Sequence, residues 1–145
     1  MPLPDFIGSG DLPPGIYVAT LEEVVARFGS DSPRRRALGA RLQRIHALAL
    51  GTDHLVRFVL FGSFVADKPD PNDIDIFMIM DDAFRVGDLE RETKILFDHP
   101  SAQSYFGASV FWIRRLAAFG GEAAAAEHWQ VKRDGGLRGI VEVLP

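Results

Sequence analysis

The chain has 145 residues, of which 47% are hydrophobic and 25% charged, as expected for one globular domain with a single core. Its 16 Lys and Arg against 20 Asp and Glu give a net charge of −4, which argues against a nucleic-acid coat protein or a polybasic membrane binder. The absence of cysteine excludes disulfides and thiolate metal sites. Without a long apolar segment, we expect residues 1–145 to form one cytoplasmic domain that does not span a membrane.

Two helices are predicted in the first third of the chain. Residues 1–15 contain four prolines and three glycines, which predicts an irregular N-terminal arm. Thr20 and Glu23 have the spacing of a capping box, so a helix is expected over about residues 20–28. A second helix begins at Ser32-Pro33, carries apolar residues at helical spacing and ends near Gly51.

Three consecutive arginines, Arg34, Arg35 and Arg36, lie in the first turn of this second helix. Such a cluster fits a solvated helix face, or a surface that binds RNA or a phosphorylated partner. The solvated face is the favoured interpretation, because exposed charges on a helix are common and the net charge of the chain is negative.

Two strands follow, separated by a polar loop. Residues 55–61 form a nearly continuous apolar run rich in β-formers, which predicts a central strand buried on both faces. Residues 64–72 contain two prolines and are expected to form a loop. Residues 73–80 are predicted to form the second strand.

The rest of the chain alternates helices and strands. A helix is expected over about residues 89–97, capped by Asp88 and stopped by the following His-Pro pair. A third strand fits residues 108–113, a helix fits the alanine-rich stretch 122–129, and a last strand, expected at a sheet edge, fits 138–144. The order α-α-β-β-α-β-α-β predicts an α/β (α+β) domain with a small mixed sheet flanked by helices.

Two aspartates open the second strand. Alternation places Asp73 and Asp75 on one face of the strand, with Cα atoms about 6.6–6.8 Å apart, while Ile74 and Ile76 point to the opposite, packed face. Two converging carboxylates suit Mg²⁺ or Mn²⁺, hard cations that bind one or two protein carboxylates together with substrate phosphates. The two aspartates are therefore candidate metal ligands and catalytic residues.

The first strand ends at Gly62-Ser63, the second half of the candidate site. A glycine at a strand end lets a phosphate approach the backbone, and the serine hydroxyl and nearby amides can donate hydrogen bonds to it. Lys68, in the loop that leads to Asp73, is a further candidate phosphate contact. Gly62, Ser63 and Lys68 are thus the candidate nucleotide-binding residues.

Gly62-Ser63, nine residues and then Asp73-Ile74-Asp75, preceded by the apolar strand 55–61, resembles the DNA polymerase β-like nucleotidyltransferase superfamily. The likeness is greatest to small prokaryotic minimal nucleotidyltransferases, which often occur in toxin–antitoxin or phage-defence pairs. The stretches 12–29, 62–76 and 135–143 look like an uncharacterised bacterial branch. The resemblance implies that Asp73 and Asp75 bind Mg²⁺ and that Gly62 and Ser63 hold the triphosphate.

One feature departs from the pattern of that superfamily. Its catalytic members usually carry a third carboxylate on a later strand, as a metal ligand or as the base for the attacking hydroxyl. The corresponding strand here, 108–113, contains no acid, and Ser109 stands near the expected position. Glu142 in the last strand is the alternative source of a third carboxylate.

Two functions follow from the resemblance. The first is a Mg²⁺-dependent enzyme that transfers an NMP from an NTP, with ATP expected, to a hydroxyl group on a protein or an RNA end. The second is a catalytically inactive binding module, for example an antitoxin that neutralises a cognate toxin by contact. The intact Asp-x-Asp favours the enzyme, whereas the missing third acid favours the module.

Overall fold

A computed structural model describes residues 3–145, which contain one five-stranded mixed sheet. The strands are β1 (Gly15–Ala19), β2 (Leu55–Phe61), β3 (Ile74–Met80), β4 (Ala108–Arg114) and β5 (Gly139–Val143). The helices are α1 (Leu21–Phe28), α2 (Pro33–Leu50), α3 (Arg91–Leu96), α4 (His99–Phe106) and α5 (Glu122–Glu127). The predicted α/β class with a small mixed sheet is confirmed.

The sheet has the strand order β1-β5-β2-β3-β4. The central strand β2 is antiparallel to both of its neighbours, β5 and β3, so those two strands run in the same direction. The outer pairs, β1 with β5 and β3 with β4, are parallel. The starts of β3, β4 and β5 and the end of β2 therefore lie at one end of the sheet.

The first two helices match their predictions. The Thr20 side chain accepts from the Glu23 amide and Glu23 accepts from the Thr20 amide, so the capping box is complete. Ser32 caps α2 by accepting a hydrogen bond from the Arg35 amide. These local signals are enough to predict where the two helices begin, because each capping side chain accepts from an amide that has no partner within the helix.

The predicted edge position of the last strand was wrong. β5 was expected at an edge, but it lies between β1 and β2 and is buried at four of its five residues. The edge is instead formed by β1, a short strand that directly follows the proline-rich arm. Over residues 3–14 the arm is irregular, as predicted; Met1 and Pro2 lie outside the described residues.

The helix predicted over residues 89–97 was also wrong in its bounds. Two short helices, α3 and α4, occupy this region, and the cap of the second is Asp98, whose side chain accepts from the Ser101 amide. Pro100 lies in the first turn of α4, where its missing N–H leaves no helical hydrogen bond unmade. The proline therefore begins a helix here and does not merely end one.

Both faces of the sheet carry a core. On the face covered by α1–α4, Ile74 and Ile76 are fully buried, as the strand alternation predicts. On the other face, a smaller cluster that includes Val59 and Phe77 packs against α5 and Trp129. Among residues 3–145, no helix combines the length and apolar character needed to cross a membrane.

Candidate active site

The candidate site lies at the sheet end where β2 finishes and β3, β4 and β5 begin. A cleft of about 560 Å³ opens there. It is lined by Phe61, Gly62, Ser63, Asp75, Ser109, Phe111, His128, Trp129, Val131, Lys132, Arg133, Asp134 and Arg138. Three of the predicted site residues, Gly62, Ser63 and Asp75, are thus brought together in one cleft.

Gly62 is the residue that lets the Asp75 carboxylate approach the end of β2. Its φ of 80° lies in the region that favours glycine. A Cβ at this position would overlap the Asp75 Oδ2 atom. Directly after it, residues Ser63–Val65 form a single 3-10 turn.

The charge of Asp75 is destabilised by its surroundings. Burial is the main cause that raises the pKa of Asp75 from 3.8 to about 6, and the negative charge of Asp73 is the second. Arg138, the Ser109 hydroxyl and Arg133 act in the opposite direction but do not cancel this effect. A carboxylate of this kind gains most from a bound cation, because the cation removes the repulsion between the two aspartates.

Asp73 is held by the neighbouring strand. The Ser109 Oγ atom donates a hydrogen bond of 3.0 Å to Asp73 Oδ2, and Ser109 is in register with Asp75 across the parallel β3–β4 pair. Ser109 therefore occupies the position beside the two aspartates where the resemblance leads one to expect an acid. It orients one of the carboxylates and adds no charge.

Arg138 is the main cation of the cleft, and the sequence analysis missed it. It directly precedes β5 and is half-buried, with its guanidinium 5.1 Å from the centroid of the Phe61 ring and its Nε donating to the Trp129 carbonyl oxygen at 3.2 Å. Burial lowers the pKa of this guanidinium, while Asp75 and Asp11 raise it. No local signal marks it, because its approach to Asp75 depends on β5 lying beside β2.

Two further cations lie at the mouth of the cleft, in the segment between α5 and β5. Lys132 Nζ lies 2.9 Å from Asp11 Oδ2, a contact that fixes the arm against this segment. Arg133, in the same turn, is exposed. Together with Arg138 they form the basic wall of the cleft, in a chain whose net charge is −4, and Asp134 beside Arg133 lines the cleft as well.

Aromatic side chains form the floor of the cleft. Trp129 stacks on Phe61 with ring centroids 4.4 Å apart and also contacts Phe77 and Phe111. Because these rings pack on each other, they fix the shape of the cleft. Phe111, which is 38% exposed, leaves part of its ring open to a ligand.

Three residues considered from the sequence do not line the cleft, and the first of them, Asp73, reaches it only through its hydrogen bond with Ser109. Lys68 is exposed and does not line it; only its backbone carbonyl is engaged, by Arg35. Glu142 Oε1 accepts from Arg57 Nη1 at 3.0 Å and does not line the cleft either. Glu142 therefore does not supply the third carboxylate.

The two aspartate carboxylates suit a magnesium ion whose remaining ligands come from water and a bound substrate. Within residues 3–145, no three His, Asp or Glu side chains are grouped closely enough to hold a metal ion. Two adjacent carboxylates are nevertheless the usual protein contribution where Mg²⁺ keeps its waters and binds substrate phosphates. Asp73 and Asp75 are the residues that would hold it.

Comparison with known proteins gives a family but no described relative. A family model, described as a family of unknown function, matches residues 4–144. No curated protein and no solved structure matches the chain. The site must therefore be interpreted from its own geometry.

Proposed function

Because the chain belongs to DUF6932, a family of unknown function, we propose a function from the site itself: Mg²⁺-dependent nucleotidyl transfer from an NTP to a hydroxyl group. The acceptor hydroxyl belongs to a protein partner or an RNA end, and ATP is the proposed donor. The resemblance to the DNA polymerase β-like nucleotidyltransferases supports the same proposal, as does the position of the Gly-Ser and Asp-x-Asp motifs.

The observation that carries this proposal is the convergence of unlike charges in one cleft. Asp75 and Arg138 face the same space, with Ser63 at its edge. A cleft that holds both carboxylate and cationic side chains suits a polyphosphate that binds together with a divalent cation.

The reaction needs little covalent chemistry from the protein. The acceptor oxygen attacks the α-phosphorus, the bond from that phosphorus to the bridging oxygen of the β-phosphate breaks, pyrophosphate leaves, and the hydroxyl proton passes to solvent. When bound, Mg²⁺ supplies charge neutralisation on the phosphate oxygens. The chain would position the reactants: Arg138, fixed against Phe61, is a cation that would stabilise negative charge at the phosphates, and Asp73, oriented by Ser109, would hold the metal ion.

ATP labelled at different phosphates tests the proposal. The protein, with Mg²⁺ or Mn²⁺, is incubated with cell extract and ATP carrying the label at either the α- or the γ-phosphate. We expect α-label on a macromolecule and no γ-label, with the signal lost in Asp73→Asn. Transfer of γ-label would indicate a kinase, and no transfer of either label would contradict enzymatic activity.

The second candidate function is that of a nucleotide-binding module without catalysis. One observation favours it: Ser109 stands beside the two aspartates in place of a third acid. Such a module, for example an antitoxin, binds Mg²⁺-ATP and acts by contact with a protein partner. Calorimetric binding of Mg²⁺-ATP without any transfer of α-label would support this function over the enzyme.

A further inference from the structure

Arg35 is a buried cation in the first turn of α2, outside the cleft. It is 5% exposed, although the sequence pattern favoured a solvated helix face for it and its neighbours. That interpretation is therefore wrong for Arg35. A charged side chain buried to this degree needs hydrogen-bond partners, because its desolvation is unfavourable.

The partners of Arg35 are backbone carbonyl oxygens. They belong mainly to the loop that begins at Ser63: Phe28 (3.0 Å), Ser63 (3.5 Å), Phe64 (2.7 Å), Ala66 (2.7 Å) and Lys68 (2.6 Å). Burial lowers the pKa of this guanidinium, while Asp31, Asp67 and Asp70 raise it. One guanidinium therefore holds four carbonyl oxygens from the first half of the loop.

Arg34 binds the other half of the same loop. Its Nε donates to the Pro71 carbonyl oxygen at 2.9 Å, and its Nη2 donates to the carbonyl oxygen of Asn72. Asn72 is the residue immediately before Asp73. Arg36, by contrast, is exposed and donates only to the Ser30 carbonyl, away from the loop.

The loop 63–72 joins the two halves of the candidate site. It starts with Ser63 and ends directly before Asp73, so its conformation sets how these two residues face each other. The loop contains two prolines and does not pair with a strand. Its own backbone therefore offers few hydrogen bonds that would fix its conformation. The planar guanidinium, with up to five N–H donors, suits the task of holding several carbonyls at once.

We propose that Arg34 and Arg35 are positioning residues, which clamp the loop 63–72 so that Ser63 and Asp73 are held in their binding geometry. The inference rests on the proposed function, since it assigns the clamp to nucleotide binding. The clamp acts through the backbone, and neither arginine lines the cleft.

Arg34→Met is the main test, because it removes two hydrogen bonds at the site end of the loop and leaves the buried Arg35 in place. Arg36→Met is the matched control on the same helical turn. We expect calorimetry to show an affinity for Mg²⁺-ATP at least about tenfold lower in Arg34→Met and unchanged in Arg36→Met. Arg34→Lys, which keeps the charge without the planar fork, should recover at most part of the loss.

Hydrogen exchange without nucleotide provides a readout that does not depend on the proposed function. In Arg34→Met we expect the amides of residues 63–73 to exchange at least about tenfold faster, while those of β4 stay protected. Unchanged exchange in the loop would overturn the clamp. Faster exchange with unchanged affinity, or full recovery by Arg34→Lys, would overturn the positioning role.

The two hypotheses fail in distinguishable ways. If the wild-type protein binds no Mg²⁺-ATP, the proposed function fails, while the exchange experiment still decides whether Arg34 holds the loop. If the wild type binds and Arg34→Met binds equally well, the proposed function stands and the positioning role is refuted.

Discussion

Replacement of Asp75 by asparagine should stabilise the metal-free protein at neutral pH. The carboxyl pKa of Asp75 in the folded protein is about 6, above the ordinary 3.8, so folding favours its neutral form. The stabilisation that the protonated Asp75 contributes to the free energy of unfolding is complete below pH 3.8 and is lost as the pH rises through 6. At about 1.4 kcal/mol per pH unit the loss has an upper bound of about 3 kcal/mol, and partial exposure reduces it to about 1–2 kcal/mol.

Thermal melts in chelator between pH 4 and pH 8 measure this effect. At pH 7–8 we expect Asp75→Asn to melt about 3–7 °C above the wild type, and the difference to shrink toward zero near pH 4. Asp88→Asn, a change of the same chemistry at an exposed position, should melt with the wild type at every pH.

Mg²⁺-ATP should reverse this order, because a ligand stabilises only the protein that binds it. The wild type should gain stability with nucleotide and metal, and Asp75→Asn should gain little. The reasoning is refuted if Asp75→Asn melts clearly below the wild type in chelator and the wild type gains nothing from Mg²⁺-ATP. That result would mean that the carboxylates stabilise the fold.

Three further substitutions test other parts of the site. Gly62→Ala should lower the free energy of unfolding, measured in thermal melts, by about 1–3 kcal/mol, because its φ would be strained and its Cβ would overlap Asp75. Gly87→Ala should leave it unchanged, because nothing lies within 4 Å of the added Cβ. Arg138→Gln should weaken Mg²⁺-ATP binding by about tenfold or more in calorimetry. Equal affinity would show that the basic wall does not contribute to nucleotide binding. Ser109→Asp should destabilise the metal-free protein by about 1–3 kcal/mol and increase the stabilisation by Mn²⁺; no gain with Mn²⁺ would argue against a metal at this position.

The parts of the fold that the sequence predicts are those with local signals. The capping box of Thr20 and Glu23, the Ser32 cap and the apolar run of β2 each depend on neighbouring residues alone. β1 was not predicted because five residues between an arm and a helix carry little periodicity, and its pairing with β5 is non-local. The place of β5 inside the sheet likewise depends on that pairing.

The candidate site divides in the same way. Asp73, Asp75, Gly62 and Ser63 were recognisable because two short motifs flank one loop. Arg138 was not, since its approach to Asp75 requires β5 to lie beside β2. The burial of Arg35 was hidden for a related reason: its partners are backbone carbonyls of a distant loop, which leave no trace in residue type.

The position of β5 has a consequence for the order in which the molecule folds. β5 pairs with β1 across the interval from residue 15 to residue 139, so a long loop must close before that ladder forms. β2, β3 and β4 contact one another over shorter separations and can assemble first. We expect stopped-flow refolding to show Trp112, on β4, reaching its native environment before Trp129, which reports on the β5 side of the cleft. The candidate cleft would then be completed last, because Arg138, which lines it, directly precedes β5.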